Sequence, residues 1–100
     1  MTVYQTAKEI TAMYDLIIRN AHIVDGTGAP AFDGDLAITN GRIAALGAVN
    51  GTARREIDAE GKLLTPGWVD VHSHMDGQAT WDPLCSPAAN HGITTLIMGN

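Results

Sequence analysis

The sequence predicts two fold classes in one chain, a small β module over residues 14–65 and the beginning of an α/β unit over residues 66–100. Two stretches rich in β-branched residues, 16–24 and 36–44, align with each other at an offset of 20 and predict strands. After Pro66-Gly67 the pattern changes to strand, helix and strand, which is typical of an α/β fold.

The composition limits the classes of function. The chain has 100 residues, of which 45% are hydrophobic and 17% are charged, as in ordinary globular proteins. Its net charge of −5 argues against a nucleic-acid partner. No stretch approaches the roughly 20 apolar residues of a membrane helix. The single cysteine and the lack of a signal-peptide pattern at the amino terminus predict a cytoplasmic protein.

Residues 1–13 carry apolar side chains near helical spacing, which predicts a short amphipathic helix or a frayed extension.

Asn40-Gly41 predicts a type I′ hairpin, because both residues tolerate a positive φ. Asn20-Ala21 predicts a weaker turn, since alanine resists that conformation. Residues 25–35 are dense in Gly, Asp and Pro and predict a loop.

A third strand pair is predicted in residues 55–65, with its turn around residues 59–61. The β module is therefore expected to be antiparallel, with one alternating face. Such a module is too small to bury much surface, so it requires a partner surface.

The α/β unit is predicted to contain a strand over Trp68–His74, a loop over Met75–Leu84, a helix over about Ser86–His91 and a strand over Ile93–Met98. Ser86 is the expected helix N-cap, with Pro87 at the first helical position and Gly92 just past the end. Both strands are mostly apolar, which is typical of parallel strands that are buried on both faces.

The pair His72 and His74 is the main functional candidate. Alternate residues of a strand share a face, so Asp70 and both imidazoles are expected on one side, near the carboxyl end of the strand. Neutral imidazoles bind zinc and similar divalent metals, and Asp70 could hydrogen bond to a ligand. Asp76 is a candidate on the substrate side, and Asn100 would stand at the carboxyl end of the second strand. The alternative is a solvent-facing strand that binds no metal.

The remaining candidates have simpler explanations. His22 is expected to be a surface strand residue, and His91 lies at the predicted helix end, where a cation meets the helix dipole favourably. Cys85 is expected to have no functional role. Asp82 is expected to cap its loop.

The residues that surround the histidines resemble the start of the amidohydrolase superfamily, and the stretches concerned are TPGWVDVHSHMDGQATWDP and HGITTLIMGN. Residues 14–47 resemble the opening β module of the same superfamily. His-x-His alone identifies only the superfamily, which also holds dihydroorotases, hydantoinases and deaminases. DGQATWDP and HGITTLIMGN are more specific, and resemble the N-acyl-D-amino-acid deacylase (D-aminoacylase) branch.

This resemblance implies a metal-dependent (β/α)8 barrel and a β-sandwich assembled from both ends of a longer chain. Residues 14–65 would form part of the sandwich, and residues 66–100 the first βαβ unit of the barrel. The resemblance assigns His72 and His74 as ligands of Zn²⁺ or a similar divalent ion. It places the family's ligand cysteine, its other metal-binding histidines and its general acid beyond Asn100, so that no catalytic residue is expected within the chain.

Three functions remain open at this point. The first is hydrolysis of N-acyl-D-amino acids, small-molecule substrates, to a D-amino acid and a carboxylate. The second is another amidohydrolase activity, as in a cyclic amidase of the hydantoinase or dihydroorotase type. The third is a truncated, non-enzymatic chain that binds a metal or a partner. The 100-residue chain alone is expected to be inactive, because the remainder of the barrel or another chain is needed to complete the fold.

Overall fold

The computed structural model describes residues 13–99, so nearly all of the predicted amino-terminal helix or extension lies outside the described residues. The chain divides into two compact units, with the boundary between Thr65 and Pro66. No helix among residues 13–99 is long and apolar enough to span a bilayer.

The described part of the first unit is a five-stranded sheet in the order β3-β2-β1-β4, in which β5 also pairs with β1. The strands are β1 (Met13–Ile23), β2 (Phe32–Thr39), β3 (Arg42–Gly47), β4 (Thr52–Asp58) and β5 (Leu63–Leu64). The central strand β1 is antiparallel to β2 but parallel to β4 and β5. The prediction of a purely antiparallel module is therefore wrong, because the sheet is mixed.

The hairpin between β2 and β3 is confirmed. Asn40 and Gly41 have φ values of 51° and 71°, both positive as a type I′ turn requires. The turn is also held from outside the hairpin, since the Asn40 amide donates a hydrogen bond to Asp15 Oδ2 at 2.8 Å.

The predicted turn at Asn20-Ala21 is wrong, because β1 runs through it without reversing. The register against β2 shifts between Ile18 and Ala21, so β1 carries one extra residue, and Asn20 has a φ of 56°. This is a β-bulge. The Asn20 amide donates to Asp35 Oδ1 at 2.9 Å, and its side-chain Nδ2 donates to Asp58 Oδ1 at 3.1 Å. These two hydrogen bonds hold Asn20 in its irregular conformation, so the strand continues.

The predicted strand pair in residues 55–65 is also wrong. Both β4 and β5 pair in parallel with β1, β4 along residues 13–19 and β5 along residues 22–23. The turn between them does occur, with positive φ at Glu60 and Gly61. The Gly61 amide donates to the Asn20 carbonyl at 2.7 Å, which fastens this turn to the bulge. The two strands therefore continue along one edge of β1 instead of folding back on each other.

The core of the first unit is aliphatic, in keeping with a chain of which only 5% of the residues are aromatic. Ile17 of β1 and Ala37 of β2 are fully buried, and Val49 packs with them from the segment that follows β3. Tyr14, Ala45 and Ala53 cover this cluster at its margin.

Arg19 of β1 joins the strands of the first unit through all five of its N–H groups. Nη1 donates to Asp35 Oδ2 at 2.9 Å and to the Val49 carbonyl at 2.8 Å. Nη2 donates to the Gly51 carbonyl at 2.9 Å and to Glu56 Oε1 at 3.2 Å, and Nε lies 3.5 Å from Glu56 Oε2. The hydrogen bonds that Arg19 donates to Glu56 and then to Asp35 raise its pKa. One side chain thus connects β1 with β2, with β4 and with the segment between β3 and β4.

The second unit is a strand, helix and strand formed by β6 (Trp68–Asp70), α1 (Ser86–Asn90) and β7 (Ile93–Leu96), with a 3-10 turn at Gln78–Thr80. The parallel pairing of β6 with β7 confirms the predicted order. Four details are wrong. The first strand ends at Asp70 instead of His74, and the second ends at Leu96 instead of Met98. The helix N-cap is Cys85 instead of Ser86, and the strands are not buried on both faces.

Gly67, just before β6, allows the two strands to approach closely. A Cβ built on Gly67 would lie 2.7 Å from Thr94 Cβ and closer still to the outer atoms of that side chain. Only a residue without a side chain fits there unless Thr94 moves. The Pro66-Gly67 boundary in the sequence therefore coincides with a contact between β6 and β7.

We expect Arg19→Met to lower the free energy of unfolding of the first unit by about 2–3 kcal/mol, because it leaves the half-buried Asp35 without its cation. Urea unfolding followed by circular dichroism measures the change. The matched control is Arg54→Met, since the Arg54 side chain is 76% exposed and lies 3.9 Å from Asp15. It should cost less than about 0.5 kcal/mol. Equal losses in the two variants would contradict the role given to Arg19.

Candidate metal-binding site

His72 and His74 lie in the segment that follows β6, here called the histidine loop (residues 71–76). Their ring centroids are 5.2 Å apart and the ring planes are inclined at 70°. Both residues are exposed. The rings are therefore side by side and open to solvent, although the prediction that a regular strand carries them is wrong.

The chain leaves the strand at Asp70 because side chains take over the hydrogen bonding there. A backbone bond to the segment that follows β7 runs from the Ile97 amide to the Asp70 carbonyl at 2.9 Å. The Asp70 side chain then accepts the His72 amide at Oδ1, at 3.1 Å. Asp70 therefore acts on the backbone of a candidate ligand, a different contact from the predicted one with an imidazole ring.

Ser73, between the two histidines, is a buried polar residue with 5% exposure. Its hydroxyl donates to the Ile97 carbonyl at 2.9 Å. In the alternation expected of a strand, Ser73 would lie on the face opposite the histidines, and no role for it was evident from the sequence. A polar residue on a face expected to be apolar was the available signal, because such a residue requires a partner.

Asp76 is exposed, and its Oδ2 accepts the Gly99 amide at 3.0 Å. It thus joins the histidine loop to the segment that follows β7. The other candidate on this side, Asn100, lies outside the described residues.

Asp82 organises the end of the loop and the start of α1, as expected of a capping residue. Its carboxylate accepts Gln78 Nε2 at 2.9 Å and the backbone amides of Ser86 and Leu84 at 2.8 and 3.2 Å. These bonds, led by the one from Gln78, lower the pKa of Asp82 below its ordinary value of 3.8. An aspartate four residues before Ser86-Pro87 was the signal for this role in the sequence.

The other histidines and the cysteine occupy structural positions. His22 Nδ1 lies 2.7 Å from Asp33 Oδ1 in the first unit, and His91 caps the carboxyl end of α1. Cys85 lies at the amino end of α1 with a φ of 45°, and its Sγ lies 3.7 Å from the Asp82 carbonyl.

The imidazole nitrogens of His72 and His74 are suitable ligands for a zinc ion. Zinc accepts imidazole nitrogen at about 2.0–2.1 Å, and rings this close can both reach one ion. A catalytic zinc site usually has three protein ligands, and the pair supplies two. Among residues 13–99, no group of three or more His, Cys, Asp or Glu side chains is placed to hold a metal.

Comparison with known proteins shows which families and structures the chain is similar to. Residues 55–100 match the Amidohydrolase family. The chain is 43% identical over 101 residues to an N-acyl-D-aspartate deacylase of Alcaligenes xylosoxydans xylosoxydans, covering 100% of this chain and 20% of that protein. The chain thus spans about a fifth of the length of this curated relative.

Two solved structures are similar to the chain. One is a crystal structure of D-aminoacylase, with a TM-score of 0.80 and 36% identity over 87% of this chain and 19% of that one. The other is N-acyl-D-glutamate deacylase from Bordetella bronchiseptica, complexed with zinc and a phosphonate inhibitor. It has a TM-score of 0.78 and 41% identity over 89% of this chain and 19% of that one.

We expect the stabilising effect of Asp82 to disappear in acid. A carboxylate whose pKa is lower in the folded state than in the unfolded state stabilises the folded state at pH values above the unfolded pKa. This stabilisation is lost as the pH falls below 3.8 and then through the lower pKa of the folded state. Asp82→Asn should therefore be less stable than the parent protein at pH 6, and the difference should shrink toward pH 2. Urea unfolding followed by the fluorescence of Trp68 and Trp81 measures this. A difference that does not change with pH would contradict it.

Proposed function

We propose that the chain, whose residues 55–100 match the Amidohydrolase family, provides the first two metal ligands of a hydrolase that cleaves N-acyl-D-amino acids to a D-amino acid and a carboxylate. The observation that carries this proposal is the pair of adjacent imidazole rings of His72 and His74, 5.2 Å apart at the carboxyl end of β6. In barrel enzymes the active site lies at that end of the strands. The deacylases of N-acyl-D-aspartate and N-acyl-D-glutamate among the similar proteins support this class of substrate.

The residues of this chain have binding and positioning roles in the proposed reaction. His72 and His74 would each donate one ring nitrogen to a divalent ion such as Zn²⁺. When bound, such an ion lowers the pKa of water toward neutrality and polarises the amide carbonyl. Asp70 holds the loop in place through the His72 amide. We assign the remaining ligands and the general acid that protonates the leaving amine to positions outside residues 13–99.

Exposed apolar side chains in the second unit support completion of a larger fold. Val71 is 71% exposed, and Trp81 and Leu84 are each 73% exposed. We propose that further strands and helices, from the same polypeptide or another chain, cover such residues and complete a (β/α)8 barrel. In the same proposal the first unit is part of a β-sandwich, and the protein is cytoplasmic because its single cysteine suits a reducing compartment.

We expect Zn²⁺ to bind at the histidine loop. In an NMR titration of the 100-residue protein, the ring signals of His72 and His74 should shift, while those of His22 and His91 should not. His72→Ala and His74→Ala should each weaken binding by more than about tenfold, because even partners that only orient a metal ligand contribute that much.

His22→Ala is the matched control, since it removes an exposed imidazole from the first unit. It should leave the Zn²⁺ affinity unchanged within about twofold. If the ring signals of His22 or His91 shift as much as those of the pair, or if His22→Ala weakens binding equally, the proposed site is wrong.

We expect the 100-residue protein alone, supplied with Zn²⁺, not to hydrolyse N-acyl-D-amino acids, because two imidazoles provide too few ligands and no general acid. A chimera tests the proposed role directly. In it, this chain replaces the matching fifth of the Alcaligenes N-acyl-D-aspartate deacylase. The chimera should hydrolyse N-acyl-D-aspartate in a Zn²⁺-dependent reaction.

In the chimera, His72→Ala and His74→Ala should each lower kcat/KM by at least about a hundredfold, since the metal contributes several kcal/mol of transition-state stabilisation. The chimera with His22→Ala should keep its activity. Full activity in the His72→Ala and His74→Ala chimeras, or turnover by the 100-residue protein alone, would contradict the proposal.

A further inference from the structure

Three hydrogen bonds join the region around the histidine loop to residues 97–99, which follow β7. The Ile97 amide donates to the Asp70 carbonyl, and the Ser73 hydroxyl donates to the Ile97 carbonyl, each at 2.9 Å. The Gly99 amide donates to Asp76 Oδ2 at 3.0 Å. The first bond joins two backbone groups, whereas the other two depend on the side chains of the histidine loop.

The two side-chain bonds lie on either side of His74. Ser73 precedes it by one residue and Asp76 follows it by two, so both ends of this short stretch are fixed to the same neighbouring segment. The bonds differ in environment. The Ser73 hydroxyl is buried, and the exposed Asp76 carboxylate makes a bond to a backbone amide that its charge strengthens.

We propose that Ser73 and Asp76 are positioning residues, which hold the imidazoles of His72 and His74 side by side by fastening the histidine loop to residues 97–99. The inference rests on the proposed function, because it concerns how the same metal site is built. It goes further because it makes the metal affinity depend on residues 97–99, which contribute neither of the two imidazoles.

The physical reason is the cost of ordering the loop. Beyond Asp70 the chain has left the regular ladder, and each backbone residue that is not held by other contacts loses about 1–2 kcal/mol of conformational entropy when it is fixed. Bonds that fix the loop before the metal arrives remove part of that cost from binding. Partners that orient metal ligands change metal affinity by about 10–100-fold in general.

The relation between loop and metal is reciprocal. If the bond from Gly99 to Asp76 favours metal binding, bound metal must favour that bond to the same extent. Zn²⁺ should therefore slow hydrogen exchange at the Gly99 amide in the parent protein. A carboxylate that merely capped a loop, with no influence on the histidines, would not give this result.

The test compares Zn²⁺ affinity, from the His72 and His74 ring signals, in the parent protein and two variants at Asp76. Asp76→Ala removes the acceptor and should weaken binding about tenfold. Asp76→Asn removes the charge but retains an oxygen that can accept the Gly99 amide, so it should stay within about threefold of the parent. Asp25→Ala is the control, since Asp25 is also a carboxylate that accepts a backbone amide, that of Thr27.

Ser73→Ala provides the second measurement. It should weaken Zn²⁺ binding and speed exchange at the Gly99 amide, with Asp76 still present. Tryptophan fluorescence checks that this variant folds. If it does not, the two Asp76 variants decide the question.

The outcomes separate this inference from the function on which it rests. If Asp76→Asn is as weak as Asp76→Ala, charge and not the hydrogen bond is responsible, and the inference fails. It also fails if Asp76→Ala binds like the parent while His72→Ala has lost binding, although the proposed metal site then stands. If His72→Ala itself binds Zn²⁺ normally, the proposed site is wrong and the inference falls with it.

Discussion

A backbone amide that leaves a β ladder must find another acceptor, and at several points within residues 13–99 aspartate carboxylates provide it. The amides of Asn20, His72 and Gly99 illustrate this at the bulge, at the end of β6 and after β7. Five further amides are held in the same way, those of Thr27, Asn40, Glu60, Leu84 and Ser86. The acidic composition of the chain is thus in large part structural, since many of its carboxylates terminate or interrupt regular elements.

In the first unit this requirement makes an irregular strand stable. The bulge at Asn20 survives because Asp35 and Asp58 satisfy it, and Asp35 is itself neutralised by Arg19. A guanidinium with all five donors used fixes neighbouring segments in one arrangement and leaves little freedom for a slip in register. The bulge also bears on β4 and β5, which lie along one edge of β1. The turn between these two strands bonds to the bulge, because the Gly61 amide donates to the Asn20 carbonyl.

In the second unit the same requirement shapes the candidate metal site. Because Asp70 takes the His72 amide, the chain turns out of the strand with both imidazoles on the loop. Ser73 and Asp76 then tie that loop to residues 97–99. A loop gives a ligand more freedom of direction than a strand does, and these bonds limit that freedom. The βαβ unit and the candidate metal site are therefore connected through specific polar contacts.

The sequence by itself determined the features that depend on local chemistry. These are the Asn40-Gly41 hairpin, the parallel strand, helix and strand after Pro66-Gly67, and the family resemblance around the histidine pair. Tertiary structure alone decided whether Asn20 would turn or bulge, that β4 and β5 would run parallel to β1, and that β6 would end at Asp70. The bulge and the parallel strands depend on partners that are distant in sequence, Asp35 and Asp58, and the loop after Asp70 is joined to Ile97. Local propensity carries no information about such partners.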